Sequence, residues 1–189
     1  MSVLSNTRWR DKSIKVTSNN DVLMGETLSG SVVRVNNGYQ MFEFEGETLI
    51  TSQAESKALY SFLVSHSITG ESFKVRIPSG LQCLTQSHAK ISNIVKPVKA
   101  GERTLQYKAT GVAPEGRFFN FTNHDKLYVI KSVEGDVITF EPELRIDVDI
   151  TVQMDFEPTI YGFMKNKKFE LAPEAGNYQQ FKIKIQEDI

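Results

Sequence analysis

Residues 115–144 read EGRFFNFTNHDKLYVIKSVEGDVITFEPEL, and this stretch decides the fold. It holds three short apolar segments, separated by the turn-forming triplets Asn123-His124-Asp125 and Glu134-Gly135-Asp136. The middle segment is apolar on both faces, with Leu127, Val129 and Val133 on one side and Tyr128 and Ile130 on the other. A strand that is apolar on both faces must be covered twice. The sequence therefore predicts a small barrel or sandwich around this strand.

The same β pattern extends on both sides of this stretch, with glycines between the short apolar segments. The expected strands are 90–95, 104–109, 117–121, 126–133, 137–140 and 150–156. Short strands at this density are typical of a five- or six-stranded barrel of the oligonucleotide/oligosaccharide-binding kind.

A hairpin is expected near the start of the chain. Residues 27–35 and 39–45 read as strands, and Asn37-Gly38 between them is a strong two-residue turn signal. The second strand then places Phe42 and Phe44 inward and its glutamates in solvent.

A helix follows the hairpin. Ser52 and Glu55 match a capping box, and Gly70 ends the segment at the latest. An apolar stripe at helical spacing is expected to cover a sheet; it consists of Ala54, Ala58, Leu59, Phe62 and Leu63.

Two further segments, 71–78 and 180–186, alternate between apolar and polar residues as half-exposed strands do. Because they flank the doubly buried block, the terminal strand is expected to return to the first domain. The sequence thus predicts a mainly β protein with one helix in two domains. Residues 1–80 plus 157–189 form a β domain with the helix, and residues 81–156 form the inserted barrel.

Composition limits the function classes. The chain has 189 residues, 22 basic and 23 acidic, so bulk positive charge does not drive nucleic-acid binding. No stretch approaches the ~20 apolar residues of a membrane span, and no signal peptide is recognisable at the N-terminus. Cys83 is the single cysteine and cannot form an internal disulfide. We expect a soluble protein that is made in a cytoplasm.

No catalytic, cofactor-binding or metal-binding residues are assigned. The three histidines, His66, His88 and His124, are widely separated and lack zinc-ligand spacing, and His124 is expected to be a solvated turn residue. Asp147 and Asp149 are expected to share the wet face of a strand, where a cation or a carboxylate pair is the alternative interpretation.

Four aromatic residues cluster in the barrel block: Phe118, Phe119, Phe121 and Tyr128. Aromatic residues on a barrel can stack nucleic-acid bases when a positive groove surrounds them. Here acidic residues accompany the lysines, which favours a role in the core.

Three segments together resemble the distal tail proteins of long non-contractile-tailed bacteriophages, in their small form with an inserted barrel. They are the hairpin, helix and strand order through 60–78, the barrel segments within 114–144, and the ending GNYQQFKIKI at 176–185. The resemblance spans about residue 27 to the end. It implies a tail-tube-like sandwich domain and a structural role without enzymatic activity or a cofactor.

In that family, six copies form a ring in the virion, at the phage tail tip. The implied partners are copies of the chain itself, the tail tube protein and the baseplate hub or tail tip protein. DNA passes through the central channel without specific binding. The inserted barrel faces outward, towards a host-surface glycan or an accessory receptor-binding protein.

Two alternatives from other classes stay open. One is a carbohydrate-binding module that uses the barrel to hold a host-surface glycan. The other is an enzyme such as a glycosidase, built on the acidic run that includes Asp147 and Asp149.

Overall fold

The chain is mainly β, as the sequence predicts. The structure, a computed structural model, describes residues 4, 8–49, 52–78, 91–108, 115–170 and 180–188, with the backbone alone at 11, 21–23 and 35–39. The described part contains a short 3-10 helix at Asp11–Ser13, one α-helix and eleven strands. These are β1 Lys15–Glu26, β2 Val32–Glu47, α1 Gln53–Thr69, β3 Phe73–Arg76, β4 Ile91–Asn93, β5 Thr104–Gln106, β6 Phe118–Phe121, β7 Leu127–Glu134, β8 Val137–Glu141, β9 Gln153–Asp155, β10 Thr159–Met164 and β11 Lys182–Glu187.

The first hairpin does not turn where the sequence predicts. β1 and β2 pair antiparallel around a turn at 27–31, which Gly30 allows by adopting φ 78°. Asn37-Gly38 instead lies inside β2, where three residues oppose one residue of β1 between the pairs Asn20↔Gln40 and Val22↔Asn36. The prediction was wrong because an Asn-Gly pair suits a β-bulge as well as a turn.

The helix begins and ends at the expected residues. The Ser52 side chain accepts a hydrogen bond from the Glu55 N–H at 3.2 Å, which caps the N-terminus. Gly70 ends the helix in the left-handed region at φ 69°, and its N–H donates to the His66 carbonyl.

The buried face of the helix is narrower than the predicted stripe. Leu59 and Leu63 are buried in the core, and Phe62 is half-buried against it. Ala54 and Ala58 are exposed, so this part of the prediction was wrong. A small residue adds little apolar area, so packing orients the helix by its leucines.

The helix packs against a five-stranded sheet with the order β1-β2-β11-β10-β3. The terminal strand β11 pairs with β2, from Lys182↔Glu47 to Gln186↔Glu43, and on its other side with β10. The expected return of the chain end to the Phe42–Phe44 strand is therefore observed. The core side of this sheet holds Phe42, Phe44, Val75, Ile183 and Ile185, among others.

All six strands expected in the middle of the chain form, and they close into a barrel. The sheet order is β4-β9-β6-β7-β8-β5, and a bridge between Ile94 and Tyr107 joins the two ends. Two backbone hydrogen bonds, Val95 N–H to Gln106 O at 2.9 Å and Lys108 N–H to Asn93 O at 2.8 Å, complete that junction. Strands β9-β6-β7-β8 have the spatial order of a Greek key.

Strand β7 is the wall that the sheet core and the barrel core share. Leu127 belongs to the sheet core and Val129 packs against it, whereas Tyr128 and Ile130 lie in the barrel core. This explains why the strand is apolar on both faces. Val133 packs with the barrel and not on the side of Leu127, because a register shift in the middle of β7 reverses the alternation.

The division into two domains at residues 81 and 157 stays a prediction. The two sheets are distinct, yet their cores meet along β7. No helix in the described ranges is long and apolar enough to cross a membrane.

Candidate functional site

The two carboxylates considered for catalysis do not share a strand face. Asp147 lies in a loop, where it binds the Lys99 ammonium at 2.7 Å and the Ala100 N–H at 2.9 Å. Asp149 accepts the Thr151 hydroxyl at 2.5 Å and the Thr151 N–H at 2.8 Å. The Lys99 and Thr151 bonds are the main reasons why the pKa values of Asp147 and Asp149, respectively, lie below their usual range. Both carboxylates therefore hold loop structure, and no metal-binding cluster occurs within the described ranges.

His124 is not a solvated turn residue, so that expectation was wrong. Its ring stacks on Phe121, with 5.4 Å between centroids, and its Nε2 lies 2.8 Å from the Tyr128 hydroxyl. That hydroxyl accepts the Arg145 N–H, and the His124 Nδ1 lies 2.8 Å from the Asn123 side-chain oxygen. The Asn123 oxygen can accept a proton from Nδ1, and Nε2 can then accept the Tyr128 hydroxyl proton. Burial lowers the pKa of His124 to about 4.

His66 lies on the helix α1 and packs against its neighbour there. His66 stacks on Phe62 at 3.9 Å between centroids, and its Nδ1 lies 3.0 Å from the Phe62 carbonyl oxygen. Its role is to pack the end of the helix. Cys83 and His88 lie outside the described residues.

The clustered aromatic residues form core, as the sequence favours. Phe119, Phe121 and Tyr128 are each at most 1% exposed and pack against one another in the barrel. Phe118 instead faces the sheet core, where its ring meets Phe42 edge-on at 5.6 Å. Phe119, Phe121 and Tyr128 are therefore unavailable to stack a base or a sugar.

The β1–β2 hairpin ends in an exposed apolar arm. We call residues 24–34 the arm, because every residue in this range is exposed. It carries Met24 at 68%, Leu28 at 112%, Val32 at 63% and Val33 at 46% exposure. A grouped set of exposed apolar side chains on a strand pair is a candidate interaction surface.

The five-stranded sheet also has open edges. β1 pairs only with β2, and β3 only with β10, among the strands described. The outer side of β1 therefore presents backbone donors and acceptors along a strand of 12 residues. β11 is not an edge, because β2 and β10 flank it.

The sheet face opposite the helix carries paired charges. Glu45 on β2 accepts Lys182 and Lys184 from β11 at 2.6 and 2.9 Å, and Lys165 reaches Glu43 at 2.9 Å. Hydrogen bonds from Lys182, then from Lys184, lower the pKa of Glu45 to about 2. This face is charged and exposed to solvent, and its lysine and glutamate side chains alternate.

A cleft of about 230 Å³ lies between the hairpin and the barrel. The hairpin contributes polar side chains, and the barrel contributes an arginine between two glutamates. Its lining consists of Ser18, Asn20, Gln40, Phe42, Arg103, Val129, Glu141, Pro142 and Glu143. We call this the hairpin–barrel cleft.

A chain of hydrogen bonds orders the hairpin side of the cleft. The Gln40 amide nitrogen donates to Ser18 at 2.8 Å, and the Ser18 hydroxyl donates to Asn20 at 3.3 Å. The Lys126 ammonium fixes Gln40 by donating to its backbone oxygen at 2.8 Å and its side-chain oxygen at 3.2 Å.

The lysine behind the cleft belongs to a buried ion pair. Lys126 binds Glu187 at 2.5 Å, and their side chains are 3% and 0% exposed. Glu187 also accepts the backbone N–H groups of Phe42 at 2.9 Å and Leu127 at 2.8 Å. The pair therefore ties the barrel strand β7 to β2 and β11.

Sequence reasoning assigned no residue to this cleft. Ser18, Asn20 and Gln40 read as ordinary polar positions, and the ion pair joins residues that are 61 apart in the chain. No local pattern signals such a site, because it exists only once the hairpin lies against the barrel.

No protein-family model matches the chain, and no curated protein matches it significantly.

Proposed function

We propose that this chain is a structural protein of the distal end of a bacteriophage tail, where six copies form a ring. The ring joins the tail tube protein to the baseplate hub or tail tip protein and leaves a channel for DNA. The family resemblance supplies this identity and the number of copies. The structure supplies separate support for the need to assemble.

The observation that carries the proposal is the exposed arm next to an open strand edge. Leu28 and Val32 are apolar side chains that are exposed to water. Full burial of a side chain of this kind is favourable by about 1.5–3 kcal/mol of free energy. The outer edge of β1 offers main-chain hydrogen bonds beside them. A neighbouring copy that covers both features buries the apolar side chains of the arm and pairs with the free backbone groups of the β1 edge.

Repetition of this contact around a ring requires a heterologous interface. Such an interface uses two different surfaces of each copy and closes only when the rotation per copy divides the circle. The two edges of the sheet, β1 and β3, provide two different surfaces on opposite sides of one sheet.

The charged sheet face suits the wall of a DNA channel. Its carboxylates Glu43 and Glu45 are paired with lysines, so the face is not uniformly basic. Uniform positive charge retains nucleic acid through the phosphates, whereas interleaved charge does not. On this proposal the helix side faces outward and DNA slides past the other face.

Sedimentation velocity across a concentration series tests the proposal. The wild-type chain is expected to reach a discrete species of six copies at high concentration. A variant with Leu28→Ser and Val32→Ser is expected to stay monomeric, because its arm loses apolar area.

A matched control is Ile150→Ser, which removes an apolar side chain that is 58% exposed on the barrel. This control is expected to assemble like the wild type. Circular dichroism checks that all three proteins are folded. A wild type that stays monomeric at every concentration, or an arm variant that assembles normally, contradicts the proposal.

A further inference from the structure

We propose that Lys126 and Gln40 join in an internal isopeptide bond, with Glu187 as the base that promotes it. The bond links the side-chain nitrogen of Lys126 to the side-chain carbonyl carbon of Gln40. It forms within one copy of the chain, so it goes beyond the proposed ring and does not depend on it. The contacts of these three side chains, their burial and the cleft beside Gln40 support it.

The reacting groups are already in contact. The Lys126 ammonium donates to the Gln40 side-chain oxygen at 3.2 Å and to the Glu187 carboxylate at 2.5 Å. The carbonyl carbon of Gln40 is about 1.2 Å from that oxygen, so it lies within about 4.4 Å of the Lys126 nitrogen. Productive attack places the two reacting atoms about 3–3.5 Å apart, and a small movement of either side chain closes the remaining distance.

An amine attacks a carbonyl carbon in its neutral form, and the surroundings of Lys126 favour that form. The Lys126 and Glu187 side chains are 3% and 0% exposed, and the centre of the Phe42 ring lies 5.3 Å from the Lys126 nitrogen. Burial is the main reason why the pKa of Lys126 lies below its usual range, although the charge of Glu187 opposes this effect. The Glu187 carboxylate touches the ammonium and can accept the proton that must leave first.

The Gln40 amide is oriented for loss of its nitrogen. That nitrogen donates to the Ser18 hydroxyl at 2.8 Å, so the amide oxygen faces Lys126 and the nitrogen faces away from it. Gln40 and Ser18 both line the hairpin–barrel cleft. The released nitrogen can therefore leave through this cleft, and its escape draws the exchange towards the new bond.

The reaction balances without an oxidant or a second reactant. Glu187 accepts a proton from the Lys126 ammonium, and the freed electron pair of the nitrogen forms a bond to the Gln40 carbonyl carbon. The bond between that carbon and the Gln40 amide nitrogen breaks, and its electron pair stays with the departing nitrogen. This nitrogen takes up the two protons that Lys126 gives up and leaves as ammonium. Lys126 keeps one N–H in the new amide, and the Glu187 carboxylate is regenerated.

The bond ties the barrel to the first hairpin covalently. Lys126 directly precedes β7 and Gln40 lies in β2, 86 residues apart in the chain. The freshly folded chain holds the ion pair between Lys126 and Glu187, which is the starting state of the reaction. After the reaction, a covalent bond and not an ion pair resists a force that pulls the barrel away from the sheet.

Peptide mapping by mass spectrometry on the full chain tests the inference. Wild-type protein is compared when freshly purified and after prolonged incubation under native conditions. We expect the loss of one ammonia and a branched peptide that joins the segment containing Gln40 to the segment containing Lys126. The branched peptide identifies the bond, because cyclisation of Asn37 onto the nitrogen of Gly38 also releases one ammonia.

Two variants remove one reacting group each. Gln40→Met lacks the carbonyl carbon, and Lys126→Arg lacks the amine but keeps a positive charge beside Glu187. Neither variant is expected to give the branched peptide. Gln106→Met is the matched control, because Gln106 is a half-exposed glutamine on β5 whose amide donates to Asp136. This control is expected to form the bond like the wild type.

Glu187→Gln tests the role of the base. A variant that is folded by circular dichroism is expected to form the bond about 100-fold more slowly or not at all, the loss typical of a missing general base. If this variant does not fold, Glu187→Asp replaces it. The shorter side chain draws the carboxylate away from the ammonium, so the reaction is again expected to slow.

Three results overturn the inference. One is an incubated wild type that gives no branched peptide. Another is a bond from Lys126 to Glu187 with loss of water, which makes Glu187 a reactant and not the base. The third is bond formation at the wild-type rate in the folded Glu187 variant or in Gln40→Met. Sedimentation measures the ring separately, so either proposal can fail alone.

Discussion

The buried ion pair between Lys126 and Glu187 can be tested directly by mutation. Glu187→Gln keeps the shape of the side chain and removes its charge. The Lys126 ammonium, 3% exposed, then has no counterion in the interior. Removing one partner of a buried pair costs about 3–5 kcal/mol, and we expect the free energy of unfolding to fall by that amount.

A second effect acts in the same direction. Both carboxylate oxygens of Glu187 accept main-chain N–H groups, one from Leu127 and one from Phe42. The amide of glutamine has one oxygen, so its NH₂ group must face one of these donors. A buried donor without an acceptor costs about 1–3 kcal/mol.

Urea unfolding followed by tryptophan fluorescence measures the loss. Trp9 is the single tryptophan and packs edge-on against Phe44 at 4.8 Å, so it reports on the sheet core. Adding Lys126→Met to Glu187→Gln is expected to recover part of the stability, because the uncompensated ammonium is then absent.

Glu170→Gln is the matched control, since it breaks an exposed pair with Lys168 whose side chains are 71% and 78% exposed. We expect this change to leave the free energy of unfolding nearly unchanged, because solvent screens an exposed pair. If Glu187→Gln costs no more than the control, the reasoning about the buried pair is refuted.

Three further outcomes are expected. Leu63→Ala costs about 2–5 kcal/mol in urea melts because Leu63 is fully buried, whereas Ala58→Ser on the exposed helix face changes little. Stability falls by about 1–2 kcal/mol as the pH drops from 6.5 towards 4, because unfolding lets His124 take up a proton; His124→Gln flattens this part of the melting-temperature profile. Gly162→Ala weakens the pairing of β10 with β11, since the added methyl group meets a backbone carbonyl, while Gly25→Ala has open space and leaves the melting temperature unchanged.

The barrel was predictable because its signal is local. Short apolar segments between turn residues mark each strand, and all six formed within a few residues of the expected bounds. The two ends of the helix were equally predictable, because Ser52 and Gly70 each cap the helix end next to them in the chain. Closure of the barrel by Ile94 and Tyr107 needed the structure, because no pattern identifies which edges meet.

The sequence does not predict the first strand, because this strand lacks a local signal. β1 lies at an edge and carries polar residues such as Asn19 and Asn20, so hydrophobic alternation does not mark it. Without β1 as its partner, the pattern of β2 predicts a turn at Asn37-Gly38. Pairing with β1 decided instead that these two residues form a bulge.

The sequence by itself determined the mainly β class, the six barrel strands, the helix bounds and the two-sided burial of β7. These follow from periodicity and capping, which act over a few neighbouring residues. Only the tertiary structure decided the position of the hairpin turn, the packing of His124 against Phe121 and Tyr128, the Lys126–Glu187 pair and the hairpin–barrel cleft. Each of these brings together residues from separate strands or loops, and their burial and charge exist only after the sheet and the barrel have packed together.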